Sequence, residues 1–134
     1  MELDYSKSAD FLELQPLRIP AGWSVGWNTL STTSKVEDGD FGGSCVFNAV
    51  NRGRRFCIDV EFRPEFDPSG QFYLTVTYQP WSRTERGRRK DDEPVQFDGN
   101  AEIVHTAETR MYSELVSELE TWIARCTTWV REGH

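Results

Sequence analysis

Between Arg54 and Trp81 the chain alternates apolar and polar positions with a period of two, breaks, and alternates again. Phe56, Ile58, Val60 and Phe62 interleave with Cys57, Asp59 and Glu61. Phe72, Leu74, Val76 and Tyr78 interleave with Tyr73, Thr75 and Thr77. Such alternation in β-branched and aromatic residues predicts strands with one buried face. The intervening Arg63-Pro64-Glu65-Phe66-Asp67-Pro68-Ser69-Gly70 cannot continue a ladder but suits a turn, so the two runs read as an antiparallel pair.

The C-terminal segment changes period. Tyr112, Leu115, Val116, Leu119, Trp122, Ile123, Cys126 and Val130 recur at steps of three and four, the stripe of an amphipathic helix. Thr109 or Thr106 is the expected cap and Gly133 the expected stop. This stripe is the natural cover for the apolar face of the sheet.

Upstream, Pro16 and Pro20 block a helix around Leu14, Leu17 and Ile19. Trp23, Val25, Trp27 and Thr29 then alternate as a first strand, with Trp23 and Trp27 read as core first and as partner anchors second. Gly26 marks a bulge or a close backbone approach. Ser31 to Gly43 reads as a loop, and Cys45 to Val50 fits a strand or a short helix equally. Asn51-Arg52-Gly53-Arg54 reads as a tight turn with its glycine in the left-handed position. Ala101 to His105 reads as a last short strand with Ile103 and His105 on one face. The expected fold is α+β: an antiparallel sheet of four to six strands with the long C-terminal helix packed on one face, in one domain spanning residues 1–134.

Charge narrows the partners. The chain carries a formal net charge of −7, which disfavours nonspecific binding to nucleic acid or anionic lipid; it is compatible with a basic protein partner, but acidity alone is explained as well by solubility. Three cysteines form no CxxC pair, so a disulfide scaffold is not expected. Met1-Glu2-Leu3-Asp4 lacks the basic start and apolar run of an export signal, and no window has the apolar length of a membrane span. The expected compartment is the cytoplasm, with no membrane partner.

Catalytic chemistry finds little support. His105 and His134 are the only histidines, and neither has ligand-spaced partners for a metal. No nucleophile elbow, phosphate loop or dinucleotide fingerprint occurs. The expectation is therefore no catalytic residues, no metal and no cofactor. Two clusters remain. Asp59 and Glu61 share the polar face of a strand, and Glu65 and Asp67 lie in the adjoining turn. They form a solvated face, a partner surface or, last in order, an acid–base or cation site. Arg83, Arg86, Arg88, Arg89 and Lys90 could hold RNA with Trp81 and Tyr78 as stacking groups, but Asp91, Asp92 and Glu93 follow directly.

The stretch from Asp59 through Pro64-Glu65 and Asp67-Pro68-Ser69-Gly70 to Leu74 resembles small bacterial immunity proteins, as does Ile19-Pro20-Ala21-Gly22-Trp23 through Asn28. Glu61-Phe62 stands where a Gly-Trp pair occurs in some of them. The resemblance implies a non-enzymatic cytoplasmic inhibitor that binds and neutralises a cognate toxin domain of a contact-dependent or related polymorphic toxin system. Such toxins are often nucleases with basic clefts, and an acidic inhibitor mimics phosphate charge and associates by steering. The candidate contact residues are Glu37, Asp38, Asp40, Asp59, Glu61, Glu65, Asp67 and Trp81. A monomer or small homo-oligomer without nucleic acid is expected. The competing reading is an accessory protein or enzyme that uses the carboxylate or arginine cluster to bind metal or RNA.

Overall fold

The computed structural model describes residues 14–129 except 43–44, 84, 90–94 and 98. Among the described residues, five strands form one antiparallel sheet in chain order: β1 (Trp23–Asn28), β2 (Cys45–Asn51), β3 (Phe56–Arg63), β4 (Gln71–Tyr78) and β5 (Glu102–Thr109). One helix, α1 (Tyr112–Thr128), packs across one face. The fold is thus α+β, as the pattern of the chain predicts.

The two alternating runs become β3 and β4, paired from Phe56↔Tyr78 to Arg63↔Gln71. Residues opposite one another share a face. Phe56, Ile58, Val60, Phe62, Phe72, Leu74, Val76 and Tyr78 are therefore all turned to the same side, where all are buried. The helix meets them with Leu115, Leu119, Trp122, Ile123 and Cys126. The segment 45–50, ambiguous by pattern, is strand: Val46, Phe47 and Ala49 are fully buried, and β2 pairs with β1 and β3.

Several details depart from the sequence reading. In the β2–β3 turn the left-handed residue is Arg55, with φ 68°, rather than Gly53. Its guanidinium Nε donates to the Gln79 carbonyl at 2.7 Å and Nη2 to that of Pro80 at 3.0 Å, which fastens the turn to the end of β4. β5 runs to Thr109, well past His105. A register shift in β5 between the partners of Val76 and Thr77 sends Ile103 and His105 to opposite faces. The helix ends at Thr128, before Gly133; Val130 and Gly133 lie outside the described residues. Thr106 takes no part in the helix start. Thr109 supports it from beyond the cap: its Oγ1 accepts from the Met111 N–H at 3.0 Å and donates to Glu114 Oε2 at 2.7 Å.

The Ser31–Gly43 loop supplies core residues that its polar composition hid. Leu30 leads into it fully buried, and Val36 and Phe41 are buried within it. Phe41 packs edge-on to Phe72 at 4.9 Å between ring centroids and is stacked on Tyr112 at 5.5 Å. A short 3-10 turn, Val36–Asp38, carries Glu37 and Asp38 outward over this anchor.

Candidate functional site

β2 enters the sheet at the end where β3 turns into β4, because Cys45 pairs with Glu61. The loop before β2 and the turn after β3 must therefore be neighbours. They are locked together by backbone: the Phe66 N–H donates to the Phe41 carbonyl at 2.8 Å. Gly39, with φ 68°, lies so close that a Cβ there would stand 2.8 Å from the Phe66 carbonyl oxygen. A side chain at residue 39 would clash as well as strain the backbone.

This contact gathers carboxylates that the sequence separates. Glu37, Asp38 and Asp40 come from the loop, Glu65 and Asp67 from the turn. At the junction of the two segments is Phe66, which the sequence reading did not single out. Its side chain is 63% exposed, its φ is +58°, and its ring lies against Gly42. A non-glycine residue held in the left-handed region stores backbone strain, and such strain clusters at functional sites.

The carboxylates differ in their freedom. Glu37, Asp38 and Glu65 are exposed. Asp40 closes its own loop, accepting from the Lys35 N–H at 2.9 Å. Asp67 Oδ1 accepts from Ser69 N–H at 2.8 Å and Ser69 Oγ–H at 2.7 Å. Those two bonds hold its carboxyl below the ordinary carboxylate range. Asp40 and Asp67 thus shape the surface, while the other three are available to a partner.

Asp59 and Glu61 project from the face of the sheet opposite the helix, as expected. Asp59 Oδ1 accepts from Asn48 Nδ2 at 2.6 Å, and the Cys57 thiol lies 3.5 Å from Oδ2. Glu61 Oε2 stands 3.4 Å from Arg63 Nε in an exposed pair, and the Arg63 guanidinium lies 4.2 Å from the Tyr73 ring centroid. Burial, with the Asp59 charge adding to it, pushes the Cys57 thiol up to about 12. A thiol kept protonated in this way is a poor nucleophile.

Trp81 sits apart from all of these. It follows β4 at the opposite end of the sheet, with the Arg55 guanidinium 4.2 Å and that of Arg89 5.2 Å from its ring centroid. The protein's own arginines thus make cation–π contacts with the ring. It does not join the acidic group.

Trp27, read mainly as core, is 55% exposed, whereas Trp23 is half-buried and donates from Nε1 to Thr127 Oγ1 of the helix at 2.8 Å. Among the described residues no group of three or more His, Cys, Asp or Glu could hold a metal ion, and no helix is long and apolar enough to cross a membrane. No protein-family model, no curated protein and no solved structure matches this chain, so the site rests on its own geometry.

Proposed function

We propose that this protein is a non-enzymatic cytoplasmic binding protein of the immunity class, which captures and neutralises a cognate toxin domain with a basic, nuclease-type surface. The observation that supports this reading is Phe66: an exposed aromatic ring with a left-handed backbone, at the junction of the two segments that carry the exposed Glu37, Asp38 and Glu65. A large exposed apolar side chain with carboxylates on the segments that flank it has the anatomy of an interface anchor with a polar rim. The rim carboxylates draw a basic partner toward it over distance, and the ring provides affinity on contact.

The test is protection in the cell. The product of the gene immediately upstream is expressed alone and together with this protein. Toxicity that is relieved on coexpression, with a purified stoichiometric complex, is the expected result. Phe66→Asn should abolish the relief while the protein stays folded, because asparagine tolerates positive φ. An upstream product that is harmless, or equally toxic with and without this protein, overturns the reading.

A further inference from the structure

The helix covers one face of the sheet; on the other, Trp27, Ile103, Thr106 and Glu108 are exposed and Asn48, Asp59 and Thr75 half-buried. A row of paired residues crosses that open face from edge to edge: Trp27, Asn48, Asp59, Thr75 and Thr106. Trp27 belongs to this row only because of a β-bulge. The register of β1 against β2 shifts between Val25 and Trp27, with Gly26 as the extra residue. Without the shift Trp27 would follow Trp23 and Val25 onto the helix side.

The bulge is built into its surroundings. A Cβ on Gly26 would stand 2.9 Å from Asn48 Oδ1, so the glycine lets β1 close on Asn48. Asn48 in turn holds Asp59 at 2.6 Å. Trp27, Asn48 and Asp59 are thus positioned as one unit across three strands. Bulges re-aim single side chains at functional surfaces. Here the result is a tryptophan 55% exposed beside a fixed carboxylate, with Ile103 66% exposed at the far edge.

The charges on this face select the occupant. Asp59, Glu61 and Glu108 all point to this side, and the one Lys or Arg among the described strand residues, Arg63, is engaged with Glu61 and Tyr73. A second copy of the chain would set these carboxylates against their own kind, which is unfavourable. Nucleic acid is disfavoured for the same reason. We infer that the open face is a second contact region for the protein partner, with Trp27 as its anchor, and that the surface docking there offers an apolar group to Trp27 and a basic group to Asp59. This rests on the binding-protein reading above and extends the interface from the acidic end onto the sheet.

The experiment measures binding kinetics to the purified product of the upstream gene, for the full-length wild-type protein, Trp27→Ala, Ile103→Asp, Glu61→Lys and Phe66→Asn. Thermal unfolding and sedimentation of each protein alone accompany it. Trp27→Ala is expected to weaken binding by about tenfold or more, mainly through faster dissociation, with an unchanged melting temperature. Should Trp27→Ala prove unstable, Ile103→Asp and Glu61→Lys on the same face carry the test, and a similar loss is expected from both. Open-face variants that bind like wild type, while Phe66→Asn does not, overturn the inference and leave the functional reading intact. A wild-type protein that does not bind the probe overturns both. A dimer of the protein alone that Trp27→Ala disperses assigns the face to a second copy and overturns the inference.

Discussion

His105 of β5 lies flat against Trp122 of α1, with ring centroids 4.2 Å apart and planes 21° from parallel. The register shift in β5 turns His105 toward the helix, and the stack ties the edge strand to it. Its Nε2 stands 3.4 Å from Glu118 Oε2 without hydrogen-bond geometry. The ring therefore acts mainly through its apolar faces. His105→Ala is expected to destabilise the protein by about 1 kcal/mol beyond the area lost. Leu119→Ala, at the fully buried centre of the same interface, should cost about 2–5 kcal/mol. Urea unfolding of the two variants checks both figures, and a Leu119→Ala protein as stable as wild type would refute the helix packing.

The acidic end should depend on Gly39. Gly39→Ala places a Cβ against the Phe66 carbonyl and forces a left-handed residue to carry a side chain. A loss of about 1–2 kcal/mol is expected from the backbone term, with more from the clash. The same change should weaken partner binding, because the loop bearing Glu37 and Asp38 would no longer be held beside Phe66. Unfolding and binding measured on one preparation separate the two effects.

Charge steering gives a kinetic signature. The Debye length falls from about 10 Å at 0.1 M salt to about 3 Å at 1 M, so association with a basic partner should slow steeply over that range. Glu37→Ala with Asp38→Ala should lower the association rate more than it raises dissociation, as rim charges do. Asp59→Ala removes a half-buried contact held by Asn48 and should mainly speed release. Unchanged rates in both variants at low salt would eliminate the acidic mechanism.

Alkaline pH should destabilise the fold. Burial pushes the Cys57 and Cys126 thiols from the ordinary 9.0 up to about 12. It also raises the Tyr112 hydroxyl from 10.0 to about 12. Between those limits the unfolded chain releases the protons while the folded chain keeps them. The folded state then binds more protons, so stability falls as pH rises. The contribution is fully present below pH 9.0 and is lost toward about 12. Urea midpoints recorded from about pH 8 to about pH 10.5 should decline, less steeply in a Cys57→Ala, Cys126→Ala protein. In the native protein Cys45, partly exposed, should react with a thiol reagent before the two buried thiols.

The strands β3 and β4 and the helix were legible because nothing interrupts their periods: each apolar residue from Phe56 to Phe62 and from Phe72 to Tyr78 lies where period two puts it. What the pattern could not carry were the register shifts. One turns Trp27 outward, one lets Val46 and Phe47 both face the core, and one separates Ile103 from His105. A single extra residue reverses the side of all that follows, and composition leaves only Gly26 as its trace. That the loop bearing Glu37 adjoins the turn bearing Glu65 depends on Phe41 meeting Phe66, a contact between two irregular segments with no period to read. The polar face bearing Asp59 and Glu61 was legible; Phe66 at the junction of the loop and the turn was not.

The bulge at Gly26 has a bearing on solubility as well. Among the described strands, β1 and β5 are the outer ones, and an outer strand offers unpaired N–H and C=O groups on which foreign strands can grow. A straight β1 displaying Trp23, Val25 and Trp27 in register would be an inviting template for fibrous assembly. The extra residue bends and twists that strand, so a second chain laid along it loses its ladder after a few residues. The irregularity that presents Trp27 to a partner thus also guards the rim of the sheet against unwanted copies of itself.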